Sequence, residues 1–473
     1  MPASIVYHPD GLPQPRRNLA IITIALGLTM AVMDGAIANV ALPTIAEDLR
    51  ASPAFSIWIV NGYQLAIVIS LLPLSSLGEI VGYRRVYLAG LVLFTSASLF
   101  CSLAHTLDML TAARVLQGFG AAGIMSVNSA LVRFTYPQQM LGRGIGINAF
   151  VVAVAAAVGP TLAAAILAVG NWPWLFAVNI PFGLAAVAVG RIALPHTPHV
   201  ARSFDWPSAA LCALVFGAGI SGIDSAGHGE SSVYYLSEFA IAAVAGTALV
   251  RRQLDVPSPL LPVDLMRIPI FALSICTSMA SFCAQMLAFV ALPFFLRYRF
   301  GFSAVEIGLL ITPWPIAIAF VAPLAGRLVD RYPAGLLGGI GLALFAAGLL
   351  SLAFLAPHPT TASLVWRMAL AGAGFGLFQS PNNRTMIAAA PRERSGGASG
   401  MLGTARLLGQ TVGAALVALM LARYGADGTK LSLLAAAGFA VVGCALSMLR
   451  LSPAGARGAS GVEVRDGQRL TGD

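Results

Sequence analysis

The stretch TMAVMDGAIANVALP places one carboxylate, that of Asp34, inside an apolar run that begins near Leu19. A helical rise of about 1.5 Å per residue puts Asp34 roughly 22 Å beyond Leu19. Acids buried in proteins are normally paired, and acids inside membranes commonly mark the path of ions or protons. Asp34 therefore either pairs structurally with a neighbouring helix or binds protons and cations reversibly. The cost of an idle buried charge favours the second interpretation.

Arginines also fall within apolar runs, where a charge is costly. Arg114 lies in RVLQGFGAAG and Arg367 lies in VWRMALAGAGFG. A guanidinium close to Asp34 would oppose protonation of the carboxylate, and its departure would promote protonation. The alternative for Arg114 is a structural role in which the side chain extends to the membrane surface. Arg367 has no obvious acidic counterpart, which favours a structural role for it.

The composition decides whether these charges lie in a soluble core or in a membrane. The chain has 473 residues, of which 58% are hydrophobic and 10% charged, and its mean hydropathy is +0.83. Runs of about 18–25 apolar residues recur, and each can cross a hydrocarbon layer about 30 Å thick as a helix. We therefore predict an all-α membrane protein with fourteen transmembrane helices. The predicted spans cover residues 19–42, 55–77, 86–104, 109–132, 144–169, 173–194, 207–224, 233–250, 268–296, 303–325, 335–356, 362–386, 398–422 and 430–450.

The basic residues predict which side of the membrane each loop faces. If the N-terminus is cytoplasmic, 20 of the 28 Lys and Arg residues lie on the cytoplasmic side, five lie outside and three lie within spans. Cytoplasmic loops are enriched in Lys and Arg, so this asymmetry predicts that both termini are cytoplasmic. The net charge of +9 is then a topology signal and does not indicate nucleic acid binding.

The sequence also contains an internal repeat. NVALP lies at the end of the first span and FVALP lies 250 residues later, Glu79 precedes Asp330 by 251 residues, and Arg114 precedes Arg367 by 253. Two homologous halves around a central site provide a route to alternating access, although a duplicated structural bundle or a channel is an alternative. The predicted segments are a cytoplasmic N-terminal segment 1–18, a six-helix half 19–194, two additional helices 207–250, a second six-helix half 268–450 and a cytoplasmic tail 451–473.

Charged residues recur in the loops after spans two and ten. The first loop, LSSLGEIVGYRR, contains Glu79, Arg84 and Arg85, and the second, APLAGRLVDRYP, contains Asp330 and Arg331. A carboxylate at a helix end can pair with an arginine donor in one conformation and lose it in another. The recurrence in both halves predicts that these five residues form a cytoplasmic gate, although the usual enrichment of arginine in cytoplasmic loops suffices for Arg84 and Arg85 taken separately.

Taken in order, these motifs resemble those of the fourteen-span drug:proton antiporters of the major facilitator superfamily, and the resemblance covers nearly the whole chain. MDGAIANVALPTIAEDL is similar to the first-span signature, LGEIVGYRRVYL to the loop between spans two and three, and RVLQGFGAAG to the fourth-span motif. GINAFVVAVAAAVGPTLAA resembles the fifth-span antiporter motif, and NWPWLFAVNIPFG looks like the start of span six. One departure is that Glu79 stands where the family usually has Asp.

The resemblance implies the major facilitator fold, with two pseudo-symmetric six-helix halves and two extra central helices. It also implies that Arg114 takes part in proton coupling with Asp34. The fifth span, with Gly146, Gly159 and Pro160, is expected to pack closely and to bend. Packing and a kink are the ordinary consequences of such residues, and the kink can itself contribute to closing one side of the protein.

The expected function is proton-coupled export of amphipathic or cationic compounds by alternating access. A specific metabolite or a siderophore is the alternative cargo on the same scaffold. Asn39, Gln117 and Gln285 are the candidates for lining the cavity, and Gln285 or its neighbour Ala284 occupies the place in span nine that matches Asp34. The sequence offers no second acid in the middle of a span, which predicts one-for-one exchange of a proton for a monovalent cation.

Other kinds of chemistry have little support in the sequence. The five cysteines and six histidines show neither metal-ligand spacing nor a disulfide framework, so we expect no metal, no cofactor, no catalytic residues and no enzyme activity. No phosphate-binding loop is present, so we expect no coupling to ATP. The expected partners are a small-molecule substrate, protons and the lipid bilayer of a bacterial cytoplasmic (inner) membrane.

Overall fold

The computed structural model describes residues 11–197, 203–227, 231–255, 263–390 and 395–451. Within these ranges the chain forms seventeen α-helices and two short 3-10 helices, and it has no strand. The all-α prediction is therefore confirmed for the described residues. Most of the predicted N-terminal segment and nearly all of the predicted tail lie outside them.

The helices are numbered in chain order. The first eight are α1 (Arg16–Asp48), α2 (Pro53–Ser56), α3 (Trp58–Val81), α4 (Tyr83–Ser102), α5 (Leu107–Thr135), α6 (Leu141–Val169), α7 (Pro173–Ala177) and α8 (Asn179–Ala193). The remaining nine are α9 (Trp206–Gly227), α10 (Ser232–Asp255), α11 (Pro269–Phe300), α12 (Ala304–Ile311), α13 (Pro313–Leu328), α14 (Ala334–Ala353), α15 (Thr361–Ala389), α16 (Ser395–Tyr424) and α17 (Asp427–Leu449). The 3-10 helices cover Gln138–Met140 and Val263–Arg267.

Fourteen segments of the described chain are long and apolar enough to cross a membrane, as predicted. Three of them consist of two consecutive helices: Pro53–Val81, Pro173–Ala193 and Ala304–Leu328. A proline opens one helix in each of these three segments. Proline suits the first position of a helix because its ring fixes φ and the amide hydrogen that it lacks would have no partner there.

The first of two compact units comprises Met1–Leu249 and Leu296–Leu309. In this unit α5 packs against both α3 and α4, and α1 packs against α6 and α8. The additional helix α9 packs against α3, where the indole nitrogen of Trp58 donates a hydrogen bond of 3.1 Å to Asp224. The helix that carries Asp34 is thus surrounded by α5, α6 and α8, which can supply its polar partners.

The second compact unit comprises Val250–Phe295 and Leu310–Asp473. In this unit α15 packs against both α13 and α14, and α14 also packs against α17. Helices α13, α14 and α15 follow α3, α4 and α5 by about one repeat, and they pack in the same pairs. The division of the chain into two six-helix halves with two additional helices between them remains a prediction.

Close helix crossings show the repeat at the level of single residues. A Cβ atom added to Gly90 of α4 would come within 2.8 Å of the carbonyl oxygen of Gly120 in α5. A Cβ atom added to Gly341 of α14 would come within 2.7 Å of the carbonyl oxygen of Gly374 in α15. Small residues let helix backbones approach closely in membranes, where packing replaces the hydrophobic effect as the driving force. Both units use glycine at the same crossing.

Candidate functional site

Asp34 lies on α1 in the interior of the first unit and is only 1% exposed. Three side chains donate hydrogen bonds to its carboxylate. Arg114 donates to Oδ2, Gln117 donates to Oδ1 at 3.0 Å, and Asn179 donates to Oδ1 at 2.9 Å. These contacts give the carboxylate one counter-ion and two amide donors. We call these four residues the Asp34 cluster.

The guanidinium of Arg114 is fully buried and has further contacts. Its Nε donates to the carbonyl oxygen of Ile59 at 3.0 Å, and its central carbon lies 4.1 Å from the ring centroid of Tyr63. The same carbon lies 5.5 Å from the ring centroid of Phe176. An aromatic face attracts a cation, most strongly where water is excluded. The position of Arg114 is therefore fixed by α3 and α7 as well as by Asp34.

Gln117 lies one helical turn beyond Arg114 on α5 and is fully buried. Its Oε1 accepts a hydrogen bond of 2.6 Å from Arg114, and its Nε2 also donates to Ser98 at 2.9 Å. Gln117 was expected to line a cavity, and its polar atoms are occupied by Asp34, Arg114 and Ser98. Residues three apart on a helix share a face. Because Arg114 contacts Asp34 of α1, Gln117 on the same face of α5 can contact it too.

Asn179 is the residue of the cluster that sequence reasoning missed. It is the first residue of α8 and is 1% exposed, and the short helix α7 ends just before it. The only signal in the sequence is a polar amide inside the otherwise apolar run NWPWLFAVNIPFG. A buried amide in such a run needs a partner, but the sequence does not indicate which helix supplies it.

The other two predicted cavity residues lie in different environments. Asn39 of α1 is buried, and its Oδ1 has no hydrogen-bond partner among the described residues. Gln285 of α11 is partly exposed and belongs to the second unit. Asn61 and Gln64 of α3, which the sequence did not single out, are also buried and have polar atoms that lack a described partner. Such groups are available to water or to a polar ligand.

The first predicted gate loop contacts the segment that follows α8 in the same unit. Arg84 donates to the ring of His196 and to the carbonyl oxygen of Arg191. Burial lowers the pKa of His196, and the positive charges of the neighbouring arginines lower it further. Arg85 donates to the carbonyl oxygen of Val81 at 3.4 Å, and Glu79 is partly buried near the end of α3. The described contacts of Arg84 thus join α4 to the end of span six.

In the second predicted gate loop, Asp330 follows α13 and pairs with Arg384 of α15. The distance between Nη1 of Arg384 and Oδ1 of Asp330 is 2.5 Å, and both side chains are exposed. Arg331, the neighbour expected to act with Asp330, lies at the same loop and is exposed. The ion pair lies within the second unit and connects α13 to α15, so Asp330 and Arg384 are the described partners at this loop.

Helix α6 carries the residues of the predicted fifth-span motif. A Cβ atom added to Gly159 would come within 2.7 Å of Cβ of Ala36, which lies two residues beyond Asp34 on α1. Pro160 follows inside the helix. The surroundings of Gly146 lie outside the described residues. Helix α6 therefore packs tightly against α1 close to the Asp34 cluster, at a position where the helix contains a proline.

Two further charged residues lie within spans. Glu238, the seventh residue of α10, accepts a hydrogen bond of 2.5 Å from Ser221 of α9, and its Oε2 is buried without a partner among the described residues. Glu238 is therefore a second acid within a span, although it lies near the start of its helix and not in the middle. Arg367 donates to the carbonyl oxygen of Ser363 at 2.8 Å and lies 4.6 Å from the ring centroid of Trp366. These local contacts suit a structural role for Arg367.

The part of the chain that the structure describes contains no group of three or more His, Cys, Asp or Glu side chains arranged to hold a metal ion. In the Asp34 cluster, the buried guanidinium of Arg114 has Asp34 as its counter-ion. A buried charge without a counter-ion is costly in a medium of low polarity. The positions of Asp34 and Arg114 are therefore coupled.

Comparison with known proteins identifies the family. Residues 24–250 and 273–468 match the model of the Major Facilitator Superfamily. The chain belongs to the major facilitator superfamily. The prediction of this family and of its fold is thereby confirmed.

Individual members of the superfamily agree with this assignment. The chain is 58% identical over 447 residues to the "Uncharacterized transporter YebQ" of Escherichia coli (strain K12), covering 94% of this chain and 97% of that protein. It is 32% identical over 411 residues to the "Multidrug resistance protein Stp" of Mycobacterium tuberculosis (strain CDC 1551 / Oshkosh), covering 86% of this chain and 76% of that protein. It is thus a multi-pass transporter with fourteen candidate spans, and its relatives include multidrug proteins.

A solved structure shares the fold. The crystal structure of a bacterial homolog to the human lysosomal transporter Spinster, in an inward-facing and unoccupied conformation, aligns with a TM-score of 0.67 and 17% sequence identity. The alignment covers 93% of this chain and 97% of that one. At this level of identity the likeness supports the major facilitator fold alone.

Proposed function

We propose that this transporter exports amphipathic compounds, cationic ones included, in exchange for protons, and that Asp34 carries the proton. The observation that supports the proposal is a carboxylate that is 1% exposed inside a membrane helix and pairs with one arginine. The likeness to a multidrug resistance protein supports the export of drug-like compounds.

The geometry of the Asp34 cluster suggests how a proton could drive movement. In the present arrangement the negative charge of Asp34 balances the positive charge of Arg114, and the site is closed to water. Protonation would remove that balance, so it is favoured only in a conformation where Arg114 reaches water or another acceptor. A conformational change that separates the two groups would therefore bind a proton, and the return movement would release it.

The same contacts limit what Asp34 does with a cationic substrate. All three donors already occupy its oxygens, and a cation could approach only if Arg114 withdrew. Substrate and proton would then compete for one carboxylate, which is the simplest arrangement for exchange. One proton for one monovalent cation moves no net charge, so the pH gradient alone would drive it, with about 1.4 kcal/mol per pH unit.

The orientation of the transporter forms part of the proposal. We place it in a bacterial cytoplasmic (inner) membrane with both termini in the cytoplasm, because of the distribution of Lys and Arg. The bacterial origin of its relatives supports the location. Reporter fusions after Arg251 and Arg450 should both report a cytoplasmic position, and an external signal from either one would contradict this topology.

The exchange proposal can be tested with purified protein in liposomes that contain a pH indicator. A panel of cationic dyes, biocides and acidic metabolites is first screened for compounds that raise the melting temperature of the wild type. Asp34→Asn should abolish the proton movement that these compounds cause, because asparagine keeps the size of the side chain but cannot titrate.

Asp48→Asn is the matched control. Asp48 is the last residue of the same helix, and it accepts a hydrogen bond of 2.6 Å from the indole nitrogen of Trp172. This variant should retain proton movement. Normal proton movement by the Asp34→Asn variant would show that coupling runs through another group.

A further inference from the structure

The second unit contains a cation inside a span that has no hydrogen-bond or ion-pair partner among the described residues. Arg406 lies on α16 and is the seventh residue of the span Gly400–Tyr424. Neither a hydrogen bond nor an ion pair is formed by its side chain to any described residue, and its Nε is buried without a partner. By contrast, Arg114 and Arg367, which also lie within spans, both form hydrogen bonds.

The position of Arg406 on α16 directs it into its own unit. Cβ atoms added to Gly409 and Gly413 would come within 2.5 Å of the carbonyl oxygen of Met279 and 2.6 Å of that of Cys283, both on α11. Arg406 precedes Gly413 by seven residues, which is close to two helical turns, so it lies on the same face of α16. The residue as a whole is partly exposed, although its Nε is buried.

The described acids of the second unit do not neutralise Arg406. Asp330 pairs with Arg384, and Asp427 begins α17 beyond the opposite end of α16. The first half offers no matching charge either, because the positions one repeat earlier, 153–156, read AVAA. An uncompensated guanidinium within a span is costly and is normally balanced by an acid, by water or by a ligand.

We propose that Arg406 binds an anionic group of the transported compound, and that it selects amphipathic substrates that carry a carboxylate, sulfonate or phosphate, alone or beside a cation. The planar guanidinium matches these groups because it can donate two parallel hydrogen bonds to them. This inference rests on the proposed export function and narrows its substrate class. A structural arginine that reaches towards lipid phosphates is the competing explanation.

Rhodamine 110 and rhodamine 123 test the inference because they share one cationic ring system. Rhodamine 110 has a free carboxylate where rhodamine 123 has a methyl ester. Fluorescence anisotropy with purified protein in detergent should show that the wild type binds rhodamine 110 at least about tenfold more tightly, as expected for a hydrogen bond between charged groups. Equal affinity for the two dyes, or no binding of rhodamine 110, would overturn the proposal without any variant.

Variants assign the preference to the residue. Arg406→Gln should reduce the difference between the dyes to less than about twofold by weakening rhodamine 110 alone, and Arg406→Lys should give an intermediate value because lysine keeps the charge but not the paired donors. Arg367→Gln is the matched control and should preserve the wild-type difference. If Arg406→Gln weakens both dyes equally, the selective role is excluded.

The binding assay contains no proton gradient, so its outcome is separate from that of the exchange proposal. If the wild type binds both dyes equally but moves protons normally, only the role of Arg406 is refuted. A preserved preference with normal coupling in Asp34→Asn would refute the role of Asp34 only.

Discussion

The side-chain amide of Asn179 donates a hydrogen bond of 2.9 Å to the carboxylate of Asp34, which lies 145 residues earlier in the chain. The bond joins the start of α8 to the middle of α1. Because α5 supplies Arg114 and Gln117 to the same carboxylate, three helices meet at one buried charge. Any movement that separates these helices therefore breaks hydrogen bonds to a buried carboxylate, which is costly unless other partners replace them.

We expect Asn179→Ala to slow substrate-driven proton movement and to lower stability by about 1–3 kcal/mol, because it removes a donor from a buried carboxylate. Asn128→Ala is a suitable control. Asn128 is also buried in the first unit, but it donates to Asn148 at 2.9 Å and not to the Asp34 cluster. Thermal unfolding and proton flux should separate the variants, since Asn128→Ala loses stability without losing flux. Equal loss of flux in both variants would contradict a specific role for Asn179.

The ion pair of Asp330 and Arg384 should influence the rate of transport more than the affinity for substrate. Asp330→Asn removes the contact between the loop after α13 and α15, and we expect slower transport with an unchanged Kd. As an exposed pair it contributes only about 0–1 kcal/mol to stability. The exchange variant Asp330→Arg/Arg384→Asp should recover part of the rate. Weakened binding at an unchanged rate would instead place Asp330 in the substrate pocket.

The crossing of α14 and α15 should tolerate no side chain at Gly341. Gly341→Ala places a methyl group against the backbone of Gly374, and we expect destabilisation of about 1–3 kcal/mol from overpacking. Gly438→Ala provides the control, since a Cβ atom there has no neighbour within 4 Å. Alanine at that position should be neutral or stabilising by up to about 1 kcal/mol, because it favours helix. Similar melting temperatures for both variants would show that the crossing is not tightly packed.

The contact between Arg84 and His196 should make stability depend on pH in mildly acidic solution. The pKa of His196 is lower in the folded protein than the usual value of about 6.5, so the unfolded chain binds the proton more readily. Its contribution to stability is therefore present above that pH and is lost as the pH falls towards the folded pKa. The melting temperature of the wild type should fall relative to His196→Gln as the pH decreases from 7.5 to about 5. A constant difference would show that His196 does not titrate in this range.

The helices could be predicted from the sequence far better than the contacts between them. Apolar runs identify spans because only a helix satisfies its own backbone in hydrocarbon, and this constraint is independent of neighbours. Composition does not show how each helix is rotated about its own axis, and this rotation decides which side chains meet. For that reason the sequence indicated that Asp34 and Arg114 matter, but it did not show that Gln117 is enclosed with them or that Asn179 completes the set.

The same limitation explains the other differences. Glu238 lies near the start of the predicted span 233–250, and only the bond from Ser221 shows that it contacts a second helix. Arg406 lies in the predicted span 398–422, but whether it has a partner depends on the packing of α16 against α11. Charges within spans are visible in a sequence, whereas their pairing is a property of the folded unit.

The most direct test of the central claim is the number of protons released when a transported compound binds to the purified protein in weakly buffered detergent solution. The wild type and Glu238→Gln should both release up to one proton per bound molecule, and Asp34→Asn should bind the compound without releasing any. Proton release by Asp34→Asn equal to that of the wild type, or its loss in Glu238→Gln alone, would contradict the assignment of Asp34 as the coupling acid.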